Sequence, residues 1–237
     1  MNMSYSLAGS TQTSHLVSCP MTADLMQSTL LAAIVALTMT LVMIFLMKRL
    51  AKPYQVNDRV MSLSPWKWLV AMTILAVLFR LQFSDDSRFL IVMVLITCQL
   101  MCARLDYEYL VIPNKLTLFI AMSGAFLSFG GITILPGAAI IGALTAMATL
   151  VIPALLLRWW TAKETVGLGD IKLAAALGLW LGWARVTEVI FIASILGAMY
   201  GMIEVMRSKN YHGKVFPFGP FLAAACIFIL LVRPIWA

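Results

Sequence analysis

Apolar runs recur along nearly the whole chain, each about the length that carries a helix across a bilayer, and this recurrence constrains the fold more than any other feature. A helix rises about 1.5 Å per residue, so crossing roughly 30 Å of hydrocarbon takes about 20 residues. Eight runs are read, at 29–47, 66–83, 88–105, 115–134, 137–157, 170–183, 187–206 and 218–233. Inside lipid each backbone N–H and C=O must be paired within the protein, which helices achieve locally. The runs therefore predict an all-α, polytopic membrane protein with about eight transmembrane helices. Composition supports this against the alternatives. Of 237 residues, 62% are hydrophobic and only 11% charged, more apolar surface than a water-soluble domain can bury. The same values exclude a disordered chain, a coiled coil and a collagen-like repeat.

The positions of the charges orient the runs. The net charge is +7, but the cations are scattered between apolar segments rather than clustered in a patch that would grip nucleic acid. With both termini outside, 13 of the 17 Lys and Arg residues lie on inner segments, and only Arg80, Arg88, Arg185 and Arg233 lie outside. That asymmetry is the positive-inside pattern. It divides the chain into a polar outer segment at 1–28, a first span with a short basic cytoplasmic loop at 29–65, and a multi-helix domain at 66–233. Residues 1–28 contain no Lys or Arg, so they lack the basic start of a secretory signal peptide. Trp66, Trp68, Trp159, Trp160, Trp183 and Trp236 stand near span ends, as an interfacial belt would. Cys98 and Cys102, one turn apart in an apolar run, read as small packing residues, so neither a disulfide framework nor a metal site is expected.

Acids near membrane depth carry the functional information. Asp106, Glu108, Glu164 and Asp170 all fall around two inner loops. Asp106 closes the third run, in Leu105-Asp106-Tyr107-Glu108, followed by Ile112-Pro113-Asn114. Pro113 suits a helix start, with Asn114 and Thr117 able to cap nearby backbone. Asp170 lies in Gly167-Leu168-Gly169-Asp170-Ile171-Lys172-Leu173. The apolar part of its run is short for a span, so Gly167, Gly169 and Asp170 are expected inside the membrane boundary in non-helical or frayed backbone. Two acids at one face suggest peptide hydrolysis, in which one ionised carboxylate takes a proton from water and a protonated one polarises the scissile carbonyl. Asp106 follows a helix C-terminus and Asp170 precedes an N-terminus, so the helix fields distinguish the two. Acids at span ends are also commonly interfacial anchors. Broken helices with acids also mark the ion or proton sites of transporters.

At 106–114 and 167–173 the chain resembles the type IV prepilin peptidases, a Gly-x-Gly-Asp class of intramembrane aspartic proteases. Asp106 with Ile112-Pro113-Asn114 is similar to the family's first aspartate motif, and Gly167 to Leu173, continuing into Leu177-Gly178 and Gly182, to its second. Pro217-Phe218-Gly219-Pro220-Phe221 resembles its C-terminal signature. The resemblance implies that Asp106 and Asp170 are the catalytic pair. Gly167, Gly169, Pro113, Asn114, Lys172, Pro217 and Gly219 would then shape the site and meet substrate. It implies removal of a basic leader from prepilins or pseudopilins at the cytoplasmic face of a bacterial inner membrane, with no cofactor. Glu108 has no catalytic role in this reading. Many bacterial members carry a zinc-binding domain between the first two spans, together with N-methylation that uses S-adenosylmethionine. Here that interval, about 48–65, contains no cysteine, so a peptidase-only type without metal is expected.

Overall fold

The computed structural model describes residues 20–51, 65–83, 85–161, 167–207 and 216–236. These form seven helices: α1 (Pro20–Ala51), α2 (Pro65–Gln82), α3 (Asp86–Tyr109), α4 (Asn114–Phe129), α5 (Pro136–Thr161), α6 (Leu168–Arg207) and α7 (Gly219–Val232). Among the described residues there is no strand. Stretches of α1, α3, α5 and α6 are each long and apolar enough to cross a membrane, and α4 and α7 are shorter apolar helices. The described residues are all-helical, and the chain is a membrane protein.

Local chemistry sets the ends that matter. Asp85 opens α3 by accepting a hydrogen bond from the Ser87 N–H at 3.0 Å, a standard use of aspartate as N-cap. α3 stops at Leu110, a non-glycine residue with φ of 54°, whose N–H returns to the Asp106 carbonyl at 2.8 Å. Pro113 then presets the entry to α4, and its carbonyl accepts from the Leu116 and Thr117 N–H groups. The run expected at 115–134 is cut back to Phe129 because Gly130 and Gly131 follow, the latter with φ of 69°. Pro153 is accommodated inside α5.

The runs expected at 170–183 and 187–206 are joined within α6, whose helical geometry fails at one residue, Gly182 (φ 75°, ψ 174°). The part after the kink runs antiparallel to α7. Arg185, just past the kink, donates to the Pro234 carbonyl beyond the end of α7 at 3.0 Å. Tyr200, further along, meets Phe221 near the start of α7. The first part of α6 packs on α5 through glycines. A Cβ on Gly142 would stand 2.7 Å from the Gly182 carbonyl carbon, and one on Gly178 only 2.6 Å from the Ala143 nitrogen. Close backbone approach of this kind is how helices associate where no water is available to drive them together.

α3 is the most enclosed of the four long helices. It runs antiparallel to α7: its last turn meets Gly219 at the start of α7, while Arg88 near its start stacks over Trp236 beyond the end of α7. Trp180 of α6 fills the space beside α4. It is 1% exposed, its ring lies against Gly124, and its indole N–H reaches the Ile120 carbonyl at 2.8 Å.

Arg80, Arg88, Arg185 and Arg233 gather at one end of the bundle. Arg80 pairs with Asp86 at 2.7 Å, Arg233 with Glu188 at 2.7 Å, and Arg88 with Asp85 at 3.4 Å. Gln82 and Trp236 close the same end through hydrogen bonds to the Leu231 and Ile132 carbonyls. The two aspartates lie at the opposite end. The segments 1–19 and 52–64, which hold most of the polar N-terminus and of the basic loop, lie outside the described residues.

Candidate active site

Asp106 is held in the last turn of α3 and is only 6% exposed. Its Oδ2 accepts the backbone N–H of Gly219 at 2.7 Å. That N–H belongs to the first turn of α7, one of the groups a helix leaves without an internal partner. From sequence position alone, Asp106 feels the C-terminal field of α3. The fold adds the N-terminus of α7, which favours negative charge at the same carboxylate. Gly219 is required here by space rather than by backbone angle. An added Cβ would lie 2.8 Å from Oδ2 and 3.0 Å from the Asp106 Cβ.

Asp170 sits inside α6, as its third residue, and is 9% exposed. Its N–H bonds to the Gly167 carbonyl at 3.1 Å, and its carboxylate turns back to the Gly167 N–H. An acid at this position reaching back to the preceding cap residue is half of a capping box. It explains why the frayed backbone expected through Gly169 and Asp170 is instead confined to Gly167: the acid's own side chain closes the first helical turn. Gly167 leaves room for this, since a Cβ there would stand 3.1 Å from Asp170 Oδ2. The other oxygen, Oδ1, is buried and has no hydrogen-bond partner among the described residues. The two acids, 64 residues apart in the chain, lie at the same end of the bundle, because the α3–α4 turn that follows Asp106 packs on the start of α6.

Further contacts join the motifs. A Cβ on Gly169 would lie 3.2 Å from the Ile112 Cβ, so this glycine seats the α3–α4 turn against α6. Lys172 donates to Asn114 Oδ1 at 3.2 Å. Asn114 is thereby a link to α6 rather than the helix cap expected of it, and Thr117 takes the local contact with the Pro113 carbonyl. Gly219 and Gly167 thus meet the aspartates themselves, while Pro113, Asn114, Gly169 and Lys172 lie where the α3–α4 turn joins the start of α6. Pro217 is half-buried at the entry to α7. Glu108 pairs with Arg104 on its own helix, and Glu164 lies outside the described residues. Among the described residues no group of three or more His, Cys, Asp or Glu side chains is placed to hold a metal.

The structure gives places to residues to which the sequence motifs assign no role. Ile112 is the surface on which Gly169 closes. Tyr200, Phe216 and Phe221 form an aromatic cluster beside Gly219, with Phe216 and Phe221 stacked at 5.2 Å. Gln99 is fully buried in α3, seven residues before Asp106 and on the same helical face. An amide in the middle of an apolar run was a readable signal for it.

Fold and site define a helical membrane protein that gathers two buried carboxylates and their glycine-rich supports at one end of the bundle. Residues 93–202 match the type IV leader peptidase family. The match contains both aspartates and stops short of Gly219. Among curated proteins, the chain is 35% identical over 121 residues to the prepilin leader peptidase/N-methyltransferase of Aeromonas salmonicida (strain A449), covering 51% of this chain and 42% of that protein. It is 35% identical over 122 residues to the protein of that name from Burkholderia pseudomallei (strain 1026b), covering 52% and 40%. For that of Pectobacterium carotovorum subsp. carotovorum the identity is 29% over 141 residues, covering 60% and 50%. The chain spans about half or less of the length of the curated relatives it matches. No solved structure matches it.

Proposed function

We propose that this protein is a membrane-embedded aspartic endopeptidase that removes the basic leader from type IV prepilins or pseudopilins. The observation that supports the reading is the placing of Asp106 and Asp170, from α3 and α6, at one end of the bundle, inside the region that matches the leader peptidase family. One carboxylate takes a proton from water, and the hydroxide formed attacks the scissile carbonyl carbon. The protonated partner gives its proton to the carbonyl oxygen. Collapse of the tetrahedral intermediate breaks the C–N bond, and the leaving amine recovers a proton from the pair. Asp170 Oδ1, buried without a protein partner among the described residues, is the oxygen free to hold that water. Gly219 N–H fixes the orientation of Asp106.

In this reading the aspartate end faces the cytoplasm of a bacterial inner membrane, and the kink at Gly182 divides α6 into two of eight crossings. That only four of the 17 Lys and Arg residues, all arginines, are assigned to the opposite side supports that orientation. The curated relatives carry a double name, peptidase and N-methyltransferase. The cysteine-free interval at 48–65 supports the peptidase half alone, with a prepilin as substrate, the bilayer as surroundings and no metal.

The test is co-expression with candidate prepilins, scoring leader removal at matched membrane levels. Asp106→Asn and Asp170→Asn keep the shape but not the titrating proton, and each abolishes cleavage. The double variant is little worse than either, because the pair acts as a unit. Glu108→Gln retains cleavage. Near-normal processing by either single Asn variant refutes the mechanism and returns the site to a transporter or an interfacial anchor.

A further inference from the structure

Gln99 is an amide enclosed at the middle of α3. It is 0% exposed, and neither its Oε1 nor its Nε2 has a hydrogen-bond partner among the described residues. Leaving both groups unpaired among apolar helices carries an uncompensated desolvation cost for each. Every other fully enclosed polar side chain of α3 is satisfied: the Thr97 hydroxyl returns to the Met93 carbonyl at 2.7 Å. The direction of Gln99 is specific. Seven residues bring a helix back to nearly the same face after two turns, about 10.5 Å along the axis. Gln99 and Asp106 therefore lie on one line of α3.

That line faces α7. Asp106 meets Gly219, and the antiparallel register sets Gln99 level with Cys226. Between the two levels the α3 face carries Cys102 and Ala103, and the α7 face carries Leu222 and Ala223, three of the four being small. Small residues alone indicate close packing. Here they lie between a carboxylate and an amide whose donor and acceptor both lack partners.

We propose that Gln99 is the anchor of an internal water site between α3 and α7, behind the aspartate pair, which supplies water to Asp106 for hydrolysis. Water is the ligand that fits, because it donates to Oε1 and accepts from Nε2 and needs little room. A hydrolase enclosed by apolar helices consumes one water for each bond it breaks, and the amide holds such a molecule where lipid and packed side chains exclude the bulk. Gln99 touches no substrate and acts as a positioning residue. The supply role rests on the peptidase reading; the water site does not.

Millisecond X-ray radiolysis in isotopically labelled water tests this on the full-length membrane protein, since bound water oxidises the side chains beside it. Cys102 and Cys226 are both 0% exposed and lie on the facing sides of α3 and α7 at the level of the proposed site, while Met72 of α2 is equally enclosed at 0% and serves as the reference. The expected result is labelling of Cys102 and Cys226 well above Met72 in the wild type, falling to the Met72 level in Gln99→Leu, or in Gln99→Met if the leucine variant does not insert. Labelling of all three at one level in the wild type overturns the water site, as does unchanged labelling in the variant. In the cleavage assay the same variant should lose kcat several-fold with KM unchanged, and Gln99→Asn should recover part of it. Lost labelling with full kcat overturns the supply role. Intact labelling in a wild-type chain that cleaves no leader overturns the peptidase reading and leaves the water site standing.

Discussion

Gly219→Ala adds a single methyl group and tests how tightly the aspartate is held. The glycine has an ordinary backbone, since the positive-φ glycines among the described residues are Gly131 and Gly182, so alanine brings no conformational strain. What it meets is Asp106. The new Cβ would stand 2.8 Å from Oδ2, 3.0 Å from Cβ and 3.2 Å from Cγ, where ordinary contact begins at 3.4 Å. Rotating the carboxylate relieves the first of these contacts but not the second, because the Asp106 Cβ is fixed to α3. The helices must therefore part by roughly half an ångström, lengthening the 2.7 Å bond from the Gly219 N–H or aiming the carboxylate elsewhere. A hydrogen bond to a charged group contributes about 1.5–3 kcal/mol. Misplacing a catalytic group by about 1 Å can cost on the order of 100-fold in rate. The expected loss in kcat is between about 10- and 100-fold. KM should change less, since the role proposed for Asp106 lies in the chemical step. Gly201→Ala is the control: this glycine is also helical, and its added Cβ meets nothing within 4 Å. It should cleave normally and be slightly more stable, as alanine favours helix by up to about 1 kcal/mol. The assay is leader removal at matched membrane levels. Equal rates for the two alanine variants would refute the claim that Gly219 sets the position of Asp106.

Three further outcomes are expected. Trp180→Phe should lower thermal stability by about 2–3 kcal/mol, from the lost bond to the Ile120 carbonyl and the space left beside Gly124; a melting curve in detergent identical to wild type contradicts this. Gly178→Leu should prevent stable insertion, because its side chain would enter the backbone of α5, whereas the same change at the open Gly137 should be tolerated; membrane yield and protease resistance report both. Reporter fusions after Arg49 or within 207–214 should read cytoplasmic, and those within 84–87 or after Ala237 should read outside; a cytoplasmic reading at Ala237 removes the eight-crossing arrangement.

Much of this protein was legible without coordinates, for two physical reasons. Lipid offers the backbone no hydrogen bonds, so apolar length alone selects helices, and the positions of α2, α3 and α5 follow closely from their runs. The same medium makes an acid costly, so Asp106 and Asp170 stood out as residues with a task. What could not be read is whatever depends on one helix meeting another. Nothing in the order of residues says that the N–H of Gly219 would reach Asp106 across 113 positions, which adds a second helix field to the one α3 supplies. Asn114 had the chemistry of a helix cap, and only packing of α4 against α6 gave it Lys172 instead. The glycines of the α5–α6 crossing and the seat of Gly169 on Ile112 are likewise matters of closest approach. Apolar length decides that a segment is a helix; which faces of two helices touch is decided by their volumes, and those are compared only when the bundle has formed.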